Sequence, residues 1–68
     1  MPGLEKNRIY RACIQGYSSE GLGIARIDGQ VVFVHGAIRG EICDVLVMKV
    51  LKNAAFGKIA ALVDIFFS

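Results

Sequence analysis

Sixty-eight residues, 54% of them hydrophobic and only one of them proline, make a single small domain and exclude a disordered linker as a description of the whole. A chain of this length buries a small core and leaves little room for a catalytic pocket, so a binding module is the expected class. The net charge of +2 is too mild to name a partner, and no apolar run approaches the roughly eighteen residues that cross a bilayer, so no membrane contact is expected and the expected compartment is cytoplasmic.

Along the chain, Met1 to Asn7 read as an irregular start, with residues 1–6 expected to be flexible and an ordered core from about residue 7 to residue 65. From Ile9 to Gly16 the pattern alternates, with Tyr10, Ala12 and Ile14 on one face and Arg11 and Gln15 on the other, as in a half-buried strand. Residues 17–21 read as a loop. Residues 22–27 and 30–35 are β-prone runs separated by Asp28-Gly29, the strongest short-range hairpin signal. His35 to Gly40 carries two glycines and reads as a second connection. A long apolar run follows, from Ile42 to Leu51. A helix competes there, because residues 46–51 contain good helix formers, but the valines at 45, 47 and 50 favour a strand. Lys52-Asn53 makes the next turn, and Phe56 to Val63 or beyond supplies a fifth strand. Five strands suffice for an all-β, closed barrel of the small OB-like kind, which removes its edges by closure and leaves function to an outer face and its loops.

Charge distribution is more informative than net charge. Lys6, Arg8 and Arg11 fall in an acid-free stretch, residues 6–19, and Lys49, Lys52 and Lys58 fall in another, residues 45–63. Cys13 and Cys43 stand far apart, without another cysteine or the histidine at chelating spacing. Two buried thiols are the plain reading, with a disulfide or a reactive thiol as alternatives. Gly21-Leu22-Gly23 begins like a dinucleotide loop, but Arg26 stands where the third glycine belongs and no helix follows. His35 is the only histidine and has no evident nucleophile, so neither metal nor catalytic residues are expected.

Taken together, Glu20-Gly21-Leu22-Gly23-Ile24-Ala25-Arg26-Ile27-Asp28-Gly29, then Val31-Val32-Phe33-Val34, Gly36-Ala37 and Gly40-Glu41, resemble the TRAM domain in order and spacing. The resemblance runs on through Lys49 to Asn53 and Phe56-Gly57-Lys58, from about Asn7 to Val63. It implies a five-stranded OB-like barrel that binds RNA, of the kind attached to uracil-5 methyltransferases acting on transfer or ribosomal RNA. The kind also occurs in methylthiotransferases and as free-standing archaeal proteins. The implied role is to deliver or position RNA for a modifying enzyme, with an adjoining methyltransferase domain as partner. The chain itself is then no enzyme and holds no cofactor, S-adenosylmethionine belonging to the parent. Three positions depart from the pattern: His35 and Arg39 stand where proline is common, and Ala54 stands where an aromatic usually follows Lys52-Asn53, which removes one stacking surface.

RNA binding without sequence preference needs cations for phosphates and flat groups for bases. The candidate set is Arg26, Phe33, His35, Arg39, Lys49, Lys52, Phe56 and Lys58. If Val32 and Val34 point inward, Phe33 lies outside with Val31 and His35; the opposite assignment puts Phe33 in the core. Arg26 either grips RNA or pairs with Asp28 or Glu41, and the lysines are otherwise solvated charges. The alternative function is protein docking or dimerisation through Ile42, Leu46 and Met48, which make the second face of the fourth strand apolar, together with Phe66 and Phe67. A monomer or weak homodimer is expected.

Overall fold

The computed structural model describes the backbone of residues 4–65 and the side chains of residues 4–63; Phe66 and Phe67 lie outside the described residues. Six strands follow in chain order: β1 (Ile9–Cys13), β2 (Gly16–Tyr17), β3 (Gly23–Ile27), β4 (Gln30–His35), β5 (Glu41–Val50) and β6 (Ala54–Ile65). They form one sheet in the order β1-β5-β6-β4-β3-β2, antiparallel throughout except where β4 runs parallel to β6. The fold is all-β, as expected, but the expected five-stranded closed barrel is corrected to a six-stranded open half-barrel.

The sixth strand arises because the first predicted one divides. Ile14 donates its backbone N–H to Glu41 O at 2.9 Å and Gln15 donates to Ile24 O at 2.8 Å, so consecutive residues pass the chain from the β5 side to the β3 side. Strands β1 and β2 end the sheet on opposite sides and do not pair with each other, which leaves the half-barrel open. The break also shortens the expected loop: Tyr17 is in β2, and Ser18 opens the turn, its Oγ accepting from the N–H groups of Glu20 and Leu22. The run after Gly40 is strand β5, not a helix.

The Asp28-Gly29 hairpin forms as read. Both residues have positive φ, 52° and 79°, and Ile27 pairs with Gln30 across a two-residue turn, the I′ geometry whose twist matches the flanking strands. Inward-facing residues are small: Ala12, Ala25, Val32, Val34, Cys43, Val45, Val47 and Ala55, closed at the ends by Leu4, Ile14 and Ile27. Residues 4–7, part of the irregular start in the sequence, pack against the sheet, with Leu4 buried and Asn7 N–H donating to Val47 O at 2.7 Å. The approach of β6 to β5 is tight at Gly57, where a Cβ would stand 2.6 Å from Leu46 O and 2.8 Å from a Val45 methyl. Only glycine lets β6 approach β5 this closely.

The connection between β4 and β5 is held by Glu41. This buried carboxylate accepts the Ile38 N–H at 2.8 Å, while Glu41 N–H donates to Ile38 O and Gly40 N–H to Ile14 O. Glu41→Ala should cost about 1–2 kcal/mol, because the Ile38 amide loses a charged acceptor in a partly buried place. A urea midpoint unchanged by the substitution, with unaltered amide exchange at 36–40, would show that the carboxylate does not hold the loop.

Candidate nucleic-acid interface

Strand β4 alternates Val32 and Val34 inward, both with no exposure, and this turns Val31, Phe33 and His35 outward. The two readings of Phe33 are thereby decided for the outer face. The reason is volume: the space between β4, β5 and β6 is lined by valine, alanine and Gly57 and does not take a phenyl ring.

Register then assembles the face. Parallel pairing sets Phe33 opposite Phe56, Val31 opposite Ala54 and His35 opposite Lys58; on the other side of β4, Ile24 lies opposite Phe33 and Arg26 opposite Val31. The two half-buried rings stand 5.3 Å apart between centroids, tilted by 32°, within the range of a favourable aromatic pair. Lys49 of β5 lies opposite Phe56, completing a transverse row Ile24, Phe33, Phe56, Lys49. Lys49 reaches this row only because the register slips between Val47 and Lys49. Val47 faces inward opposite Gly57, and without the extra residue, Met48, period two would turn Lys49 inward as well.

Two further rows flank the rings: Arg26, Val31 and Ala54 on one side, His35, Lys58 and Leu46 on the other. Ala54, where the resemblance implied an aromatic, occupies this same face, so the flat surface ends at Phe33 and Phe56. Of the candidate residues, the fold therefore brings together Arg26, Phe33, His35, Lys49, Phe56 and Lys58. Lys52 is exposed in the β5–β6 turn, bordering the Arg26 side. Arg39 stands apart in the loop after β4, where its backbone N–H donates to Tyr17 Oη at 2.8 Å. Tyr17, 49% exposed, is a flat group that sequence reasoning misses; its place between a glycine and a serine before a loop is the only signal that offers it.

Electrostatics divide the two basic stretches. Among the described residues, Arg8 pairs with Glu5 at 3.0 Å and Arg11 with Asp44 at 3.1 Å, so the first stretch is largely neutralised; both pairs are too exposed to stabilise the fold much. Arg26, Lys49 and Lys58 make no ion pair among the described residues. Neither Asp28 nor Glu41 takes Arg26, and the Glu41 carboxylate is turned to the Ile38 amide.

The apolar strip expected on the strand after Gly40, which is β5, is present in part. Ile42 and Leu46 are half-buried, Met48 is exposed at the bulge, and Leu46 lies opposite Ile9, which is 58% exposed. The cysteines differ from the expected buried pair: Cys43 is buried and Cys13 exposed, and both are free thiols on opposite faces of neighbouring strands. Burial pushes the Cys43 thiol up, helped by the negative fields of Glu41 and Asp44 and by Cys13. A thiol reagent at mildly alkaline pH should label Cys13 quickly and Cys43 only on unfolding. Equal rates for both would contradict the burial of Cys43. Among the described residues there is no enclosed cavity and no cluster of metal-ligating side chains.

The TRAM domain family matches residues 3–60. A protein of Streptococcus pyogenes serotype M3, named as an uncharacterized RNA methyltransferase, is 47% identical over 58 residues, which is 85% of this chain and 13% of that protein. One of the same description from Lactobacillus johnsonii is 45% identical over 56 residues, 82% of this chain and 12% of the relative. The chain thus spans 12–13% of the length of these curated relatives. Among solved structures, the solution structure of a conserved protein of Methanococcus maripaludis superposes with a TM-score of 0.79 at 38% identity, covering 84% of this chain and 81% of that one.

Proposed function

The chain belongs to the TRAM domain family, and from that premise we propose that it is an RNA-binding module that positions transfer or ribosomal RNA for an RNA-modifying enzyme, in particular a uracil-5 methyltransferase. The observation that carries this reading is the outer face of β3, β4 and β6. Phe33 and Phe56, the largest apolar side chains among the described residues, sit outside the core between Arg26, Lys49 and Lys58. Flat rings among cations suit bases and phosphates together. Relatives named as RNA methyltransferases support the choice of enzyme, and the methyl donor and the chemistry would belong to the much longer remainder of such a protein.

An amide chemical-shift titration with a folded transfer RNA and with a short single strand tests the reading. Shifts are expected at Arg26, Phe33, Lys49, Phe56 and Lys58. With three or four phosphate contacts, log affinity should fall against log salt with a slope of about −2 to −3, at roughly −0.7 per contact for a single strand. No shifts with either RNA at low salt would sink it.

The second reading is protein docking through Ile42, Leu46, Met48 and Ile9, favoured by the exposure of Ile9 and Met48 beside Leu46. It uses the β1–β5 side and is compatible with RNA on the β3–β4–β6 side. Sedimentation at rising concentration tests the self-associating form of it; a species that stays monomeric excludes a homodimer through this strip.

A further inference from the structure

We infer that the RNA taken by this face is an unpaired strand and not a duplex, with a base lying on the Phe33–Phe56 pair and the phosphates on either side of it meeting Arg26 and Lys58. This rests on the RNA reading above and adds the form of the ligand.

Three features of the face argue for it. The first is what the rings offer. Phe33 and Phe56 lie side by side in a sheet, half-buried, so they present a surface to lie on and nothing that projects into a groove. In a duplex every internal base is covered above and below by neighbours at steps of about 3.4 Å, so no base face is free to rest on such a surface. A-form RNA shows its partners a deep, narrow major groove that side chains cannot read and a wide, shallow minor one that offers 2′-hydroxyls and base edges, not base faces, to the rings.

The second feature is spacing. Arg26 lies opposite Val31 and Lys58 opposite His35, four residues or about 13 Å apart along β4 and two strand spacings or about 10 Å across it, so they stand about 16 Å from one another with the ring row midway. Each cation is then roughly 7–8 Å from the nearer ring, a distance that a long side chain spans when a phosphate leads away from a stacked base. Lys49, set on the row by the Met48 bulge, closes one end. None of the residues in the three rows is acidic, so the strand meets no like charge as it crosses.

The third feature is how little charge there is. With a net charge of +2 and three cations on this face that make no ion pair among the described residues, phosphate contacts alone give weak attachment to a duplex. Stacking adds affinity that only exposed bases can collect.

The test compares two RNAs of the same composition with the 68-residue chain, by fluorescence anisotropy at low salt: a single strand of about ten nucleotides, within the site size of small barrels, and a hairpin closed by a non-nucleotide linker, so that all its bases are paired. The single strand should bind at least tenfold more tightly. Phe33→Leu keeps the apolar volume and removes the flat ring; it should weaken the single strand about tenfold and leave the hairpin unchanged, while Phe33→Tyr restores binding. Should Phe33→Leu not fold, Phe56→Leu provides the same comparison. A hairpin bound as tightly as the strand would overturn the inference and leave the RNA reading standing. So would a folded leucine variant with undiminished single-strand affinity. Failure of both RNAs to bind would remove the RNA reading itself, and this inference with it.

Discussion

Gly57→Ala should lower the stability of this domain by about 3 kcal/mol, at the upper end of what overpacking a tight core costs. Strand β6 is flanked by β4 and β5, and Gly57 lies opposite Val34 on one and Val47 on the other. A methyl group there would meet Leu46 O at 2.6 Å and Val45 Cγ1 at 2.8 Å. A flexible side-chain end could swing aside, but Leu46 O is backbone in a paired strand and moves only if β5 parts from β6. Domains of this size are held by only about 0.05–0.15 kcal/mol per residue, so the loss would be a large share of the total. The urea midpoint gives the measurement, with Gly16→Ala as control, since nothing lies within 4 Å of a Cβ at that position. Midpoints shifted equally by the two substitutions would mean that the close approach of β5 and β6 does not hold in solution. Because Gly57 lies between Phe56 and Lys58, RNA binding should fail along with the fold.

Reversing charge on the face, by Arg26→Glu together with Lys58→Glu, should weaken single-stranded RNA roughly 100-fold at low salt, about tenfold or more for each charged hydrogen bond to phosphate that is removed. The salt dependence carries a second prediction that general weakening does not make. Removing two phosphate partners should make the slope of log affinity against log salt shallower by about 1.4, at about 0.7 for each of them. Both side chains are exposed and make no ion pair among the described residues, so the fold should keep its urea midpoint within about 0.5 kcal/mol. Arg8→Gln, which removes a cation already paired with Glu5, is the matched control and should change little. A double reversal that lowers affinity without changing the slope would place the phosphates elsewhere.

The fold is legible in the sequence where local chemistry decides it. Asp28-Gly29 specifies a two-residue turn by its tolerance of positive φ, and the valines of β5 outweigh the helix formers among them. The break at Ile14–Gln15 is not legible. Ala12 and Ile14 both point inward across it, so the alternation continues unbroken while the hydrogen bonds change partner. The orientation of Phe33 is undecided in the sequence for a related reason, since β4 is apolar on both faces and only the tight approach at Gly57 shows how little room lies inside. The cations of the face can be named as types. Their grouping comes from register, and in the case of Lys49 from a bulge at Met48 that no residue pattern announces. Arg39 reads as one of them because it is basic and near in sequence to His35, but the loop held by Glu41 carries it towards Tyr17.

The pairing of β4 with β6 also governs the order in which the chain can assemble. The β3–β4 and β5–β6 hairpins join neighbours in sequence, whereas the parallel seam from Val31 and Ala54 to His35 and Lys58 joins segments from different hairpins. Pairings between distant segments form after local ones, because closing the longer loop costs more entropy. Phe33 belongs to the first hairpin and Phe56 to the second. A nascent chain that has made both hairpins and not yet joined them holds one ring on each, so the surface for a base comes into being only when the two hairpins join.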